Sequence, residues 1–172
     1  MTHSARPSMR TAWLLGFVAC AGLIAYVLYV QYYQYISPCP LCIFQRIAFV
    51  GMGLVFLIGG LHAPRSRVRG VYAVILALIG LAGMAVAGRQ LWLQSLPADQ
   101  VPSCGPGLGY MLDTFPLAQT LKLVFTGSGE CAEVHWKFLG LAMPAWSLIC
   151  LLALTVWALW TARRPRAARL FH

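Results

Sequence analysis

Ser37-Pro38-Cys39-Pro40-Leu41-Cys42-Ile43-Phe44-Gln45-Arg46 opens a run that stays apolar to Leu61, with Arg46 as its only charge. Such a run is read as a helix in lipid. Cys42 and Arg46 are four residues apart, about one helical turn, so they share a face at the mouth of that helix. A dithiol and a fixed cation at a membrane edge point to redox chemistry rather than scaffolding.

Working outward, three further apolar stretches resemble this one. The spans are expected at about 11–32, 43–61, 71–92 and 138–162, each near the roughly 20 residues that cross the hydrocarbon. The chain is 60% hydrophobic and 10% charged, against roughly 25% charged in soluble domains. A cleaved signal peptide is a poor reading of the start, because the apolar run is long and no small-x-small site stands immediately before Tyr32. Tyr29, Tyr32, Tyr33 and Tyr35 have the look of an interfacial aromatic belt. The expectation is an all-α membrane protein: one domain over 1–172, a four-transmembrane-helix bundle.

The net charge of +9 does not imply nucleic acid. Arg6 and Arg10, then Arg65, Arg67 and Arg69, then Arg163, Arg164, Arg166 and Arg169 flank apolar runs and fall on one side of a four-span chain. All four acidic residues, Asp99, Asp113, Glu130 and Glu133, fall on the other. The positive-inside rule places both termini in the cytoplasm and two loops, about 33–42 and 93–137, in the periplasm of a bacterial inner membrane. After Pro116, residues Leu117, Leu121, Val124 and Phe125 fit a short interfacial helix or, over 120–125, a strand.

Of six cysteines, Cys20 and Cys150 lie mid-span and read as buried small hydrophobes. Cys39, Cys42, Cys104 and Cys131 lie in the outer loops, on the oxidising side where disulfides persist. A Cys104–Cys131 staple would stabilise the fold by roughly 3 kcal/mol. A Cys39–Cys42 staple closes almost nothing, and such tight pairs are the redox-active kind. Four cysteines allow three pairings. Zinc is disfavoured because Cys104 and Cys131 form no second CxxC and outer thiolates would be oxidised. Attached c-type haem is excluded because Ile43 follows Cys42.

Cys42 sits at a helix N-terminus, where backbone N–H groups favour a thiolate, and Arg46 adds charge. No cysteine faces the cytoplasm and no nucleotide-binding pattern is present. A second partner for the tight pair must therefore be lipid-soluble. A quinone fits, with carbonyl oxygens that an arginine polarises. The first partner would be a protein of the outer compartment. A non-catalytic assembly or transport protein is the competing class, but the spans lack the intramembrane carboxylate that coupled transport usually uses.

Cys39-Pro40-Leu41-Cys42-Ile43-Phe44-Gln45-Arg46, Gly129-Glu130-Cys131-Ala132-Glu133, and Trp136-Phe138-Leu139-Gly140-Leu141 with Met143-Pro144-Trp146 together resemble the signature of the disulfide bond formation protein B (DsbB) family. The resemblance covers essentially the whole chain. It implies a four-helix bundle that reoxidises a periplasmic thioredoxin-fold dithiol oxidase and passes electrons to ubiquinone or menaquinone. By position it implies that Cys104 is attacked by the partner, that Cys131 is its disulfide pair, and that Cys39–Cys42 reoxidises that pair. It also implies that Cys42 contacts the quinone, with Arg46 on a quinone oxygen. Gln45 stands where members often carry Glu. Gln90 stands where some carry a histidine that approaches the quinone, with Arg89 beside it as an alternative or as an interfacial anchor. The reverse enzyme, reducing a quinone or epoxide as vitamin K reductase-like proteins do, shares this chemistry.

Overall fold

The computed structural model describes residues 9–35, 38–62, 66–97, 100, 113–116, 119, 129–132 and 137–163. Four long helices dominate: α1 (Met9–Gln34), α2 (Pro40–His62), α3 (Ser66–Gln94) and, after a short turn α4 (Gly129–Ala132), α5 (Met143–Arg163). All four long helices are long and apolar enough to cross a membrane. The expected four-span all-α bundle is the observed architecture. Leu117, Leu121, Val124 and Phe125, expected to form an interfacial segment, lie outside the described residues.

α1 packs along α2, α3 along α5, and α2 against α3, with α1 and α5 closing the bundle. The Trp157 indole N–H of α5 donates to the Ala12 carbonyl of α1 at 3.0 Å, tying the start of the bundle to its end. Trp13, Phe56, Met52, Leu76 and Leu151 are fully buried at its centre. Trp13 meets Phe56 edge-on, with ring centroids 5.8 Å apart. Lipid tails are as apolar as these side chains, so close packing rather than water exclusion holds such helices together. Gly16 shows the requirement: a Cβ there would lie 2.8 Å from the Phe56 ring. Thr155 and Thr161 return their hydroxyls to the Leu151 and Ala158 carbonyls, which makes them compatible with a buried helix face. Leu15, Val18, Leu54, Leu78, Leu81 and Val156 project outward from the bundle, as lipid-facing residues do.

Several boundaries differ from the sequence reading. α2 begins at Pro40 rather than near Ile43, since proline is well suited to the first helical position, where its missing N–H costs nothing. α3 begins at Ser66 rather than Val71, so Arg67 and Arg69 lie in its first turn. Arg69 is buried there and reaches the Met9 sulfur at 3.8 Å. The fourth span starts later than expected because residues 137–142 form an antiparallel hairpin, β1 (Lys137–Phe138) and β2 (Leu141–Ala142). Its two turn residues, Leu139 and Gly140, both have positive φ, 51° and 80°. That pair of left-handed residues matches the right-handed twist of a two-residue hairpin.

Candidate active site

The site sits where α2 begins. Cys39 is the residue before Pro40, and its carbonyl accepts the first helical hydrogen bond from Ile43 N–H at 3.2 Å. Its sulfur accepts from the Cys42 backbone N–H at 3.4 Å. Cys39 therefore serves as the N-cap, with sulfur in the place of the usual hydroxyl or carboxylate oxygen. One helical turn closes the CxxC sequence on itself and brings the two sulfurs 2.7 Å apart.

The third sulfur comes from α4. This short turn packs on α3 and carries Cys131, which is fully buried. Cys39, Leu41, Val86, Leu93 and Cys131 form a buried cluster separate from the main core, with Cys42, Phe44, Leu96 and Phe115 packed on it. Hydrogen bonding to Cys131, then to Cys42, followed by burial, pushes the Cys39 thiol well above its ordinary range. Cys104 lies outside the described residues.

Above the sulfurs sits the far end of α3. Gln90 Nε2 donates to Cys39 Sγ and to Cys42 Sγ, each at 3.3 Å. Its Oε1 accepts from Gln45 Nε2 at 2.7 Å. Both glutamines are buried, at 4% and 3% exposure. Gln90, which stands where some members of the resembled family carry a histidine that approaches the quinone, has its amide on the two sulfurs. Gln45 was noted in the sequence only as a departure. Its position three residues after Cys42, on the same helical face, is the signal that could have placed it here.

Arg46 is half-buried, and its guanidinium donates to Gln31 Oε1 of α1. This contact links α1 to α2 at the cysteine end of the bundle. Arg89 lies over the exposed Trp92 ring, 4.1 Å from its centroid, a cation–π contact. Among the described residues no group of three His, Cys, Asp or Glu is placed to hold a metal ion.

Residues 9–161 match the family of the disulfide bond formation protein DsbB. A disulfide bond formation protein B of Hahella chejuensis is 54% identical over 158 residues, 91% of this chain and 96% of the relative. One of Nitrosococcus oceani is 52% identical over 159 residues, 92% and 94% of the two chains. The chain belongs to the DsbB family. It is an oxidoreductase of disulfides built into a multi-pass membrane bundle. DsbB-family proteins reoxidise a DsbA-type oxidase and pass the electrons to a quinone. The CxxC of this DsbB-family chain is thus a helix cap, with a third cysteine on one side and a glutamine amide on the other.

Proposed function

We propose that the protein is a dithiol:quinone oxidoreductase of the bacterial inner membrane, with its cysteine end in the periplasm and both termini in the cytoplasm. It takes two electrons from the dithiol of a periplasmic thioredoxin-fold oxidase and delivers them to ubiquinone or menaquinone. The arginine clusters at 65–69 and 163–169 support the orientation.

The observation that carries the reading is the Cys131 sulfur held against Cys39 while Cys39 touches Cys42. Thiol–disulfide exchange needs an attacking sulfur adjacent to the sulfur it attacks. In the proposed route the partner dithiol reduces Cys104–Cys131. The Cys131 thiolate then attacks Cys39 of the Cys39–Cys42 disulfide, forming a Cys39–Cys131 bond as Cys42 leaves carrying the electron pair. Cys104 next attacks Cys131, restoring Cys104–Cys131 and releasing Cys39 as a thiol. When Cys39 is a thiol it keeps its proton at neutral pH, since its hydrogen bonds and burial hold it high. The nucleophilic sulfur of the reduced pair is then Cys42, at a helix N-terminus beside the Gln90 amide.

The residues present suit a quinone. Cys42 and, one turn on, Arg46 would hold it, and the exposed Ile47 next along α2 offers an apolar flank. The guanidinium offers several N–H donors, of which Gln31 engages one. A bound quinone supplies an acceptor for two electrons and two protons. Gln31 keeps the guanidinium at the junction of α1 and α2. Val86, Leu93 and Leu41 shield the sulfurs from water.

Fully reduced protein mixed with excess quinone should lose thiols in pairs, with one quinol appearing for each pair lost. Cys42→Ser should abolish the loss of the Cys39 thiol. Wild-type quinone reduction by Cys42→Ser would overturn the proposal.

A further inference from the structure

The amides of Gln45 on α2 and Gln90 on α3 form a buried pair directly beside the two sulfurs. A primary amide has a carbonyl edge and an N–H edge of nearly the same shape, so packing alone does not choose between the two orientations. Hydrogen bonding must choose. We propose that Gln45 is a positioning residue that acts through Gln90: by donating to the Gln90 carbonyl, it turns both Gln90 N–H groups onto the Cys39 and Cys42 sulfurs.

The distances are consistent with one orientation. Gln45 Nε2 lies 2.7 Å from Gln90 Oε1, a full-strength hydrogen bond. Gln90 Nε2 lies 3.3 Å from each sulfur, while Cys42 Sγ is farther from Oε1, at 3.7 Å. Turning Gln90 over would set its N–H groups against the Gln45 N–H groups and its carbonyl against whichever sulfur carries charge. At 4% and 3% exposure, water has little access to repair either mismatch. Donors aimed at a sulfur favour the form in which that sulfur carries charge. The lock therefore favours the reduced pair over its disulfide and makes Cys39–Cys42 a stronger oxidant. Its value to the protein rests on the oxidase reading above, but its measurement needs only the thiols.

The test uses the full chain in detergent without quinone, equilibrated in glutathione buffers. One Cys39–Cys42 disulfide and two glutathione thiols give one dithiol and one glutathione disulfide. Alkylation and peptide mass mapping read the fraction reduced. Gln90→Leu, close in shape, should lower the equilibrium constant for reduction about tenfold, a fall of about 30 mV. Gln45→Met should reproduce most of that fall although Gln90 is intact. In the Gln45→Met/Gln90→Leu double variant the fall should equal that of Gln90→Leu alone, because Gln45 then has nothing left to orient. A wild-type constant for Gln45→Met would overturn the proposal, and so would additive falls in the double variant. Helicity and a single gel-filtration peak confirm folding for each variant. If Gln90→Leu does not fold, Gln45→Met alone carries the test. Normal shifts in a protein that fails to reduce quinone would sink the oxidase reading and leave the lock standing. Unshifted constants in a protein that does reduce quinone would sink the lock alone.

Discussion

Cys42→Ser leaves Cys39 with a thiol neighbour in Cys131, whose sulfur already shares a hydrogen bond with it. Mild oxidation of this variant should join Cys39 to Cys131. That bond spans a far longer loop than the pair it replaces. On the loop-entropy relation a loop of roughly 90 residues constrains the unfolded chain by about 4.5 kcal/mol, and a loop of three by about 1.5 kcal/mol. The crosslinked variant should therefore be more stable than its own reduced form by about 4.5 kcal/mol, or roughly 10–15 °C in the midpoint of thermal unfolding. Non-reducing peptide mapping identifies the bond, and unfolding with and without reductant gives the gain. Cys39 found joined to Cys104 or to glutathione would refute the placement of Cys131. A crosslink whose reduction leaves the midpoint unchanged would refute the energetic argument.

Gly16→Ala should cost about 1–3 kcal/mol in thermal or denaturant unfolding, because its Cβ would stand 2.8 Å from the fully buried Phe56 ring. Arg46→Met should raise the quinone KM more than it lowers kcat, and Arg46→Lys should restore little of the loss, since a point charge does not reproduce a planar fork of donors. The raised Cys39 thiol has a pH signature. The folded dithiol form keeps a proton that the unfolded chain releases near its ordinary value of 9.0. Stability is then full below about pH 9 and falls as pH rises above it. In Cys131→Ala, which loses the largest cause of the shift, the fall should be shallower when unfolding is followed across that window.

The bundle was legible because each span carries its own signal. Ile43–Leu61 needs no partner to declare itself lipid-buried, although the helix itself starts earlier, at Pro40. The tight cysteine pair was legible for the same local reason. What sequence reasoning missed depends on contacts between distant residues. Gln45 and Gln90 lie on different helices, and nothing in either stretch says that one amide orients the other. Arg46 was read with Cys42 because they share a face, yet its hydrogen bond runs to Gln31 on α1, set by the packing of two helices. The hairpin at 137–142 hid inside an apolar run because Leu139, 78% exposed, holds a left-handed conformation that usually selects Gly or Asn. Cys131 looked like a loop residue among glycines, but α4 buries it completely on α3.

The order in which sulfurs oxidise tests the electron route most directly. Fully reduced protein would receive a single equivalent of quinone, be quenched in acid at intervals, and be mapped for disulfides. The first bond to appear should be Cys39–Cys42, with bonds to Cys131 and then Cys104 following at later times. A Cys104–Cys131 bond formed ahead of Cys39–Cys42 would contradict the route from quinone through Cys42.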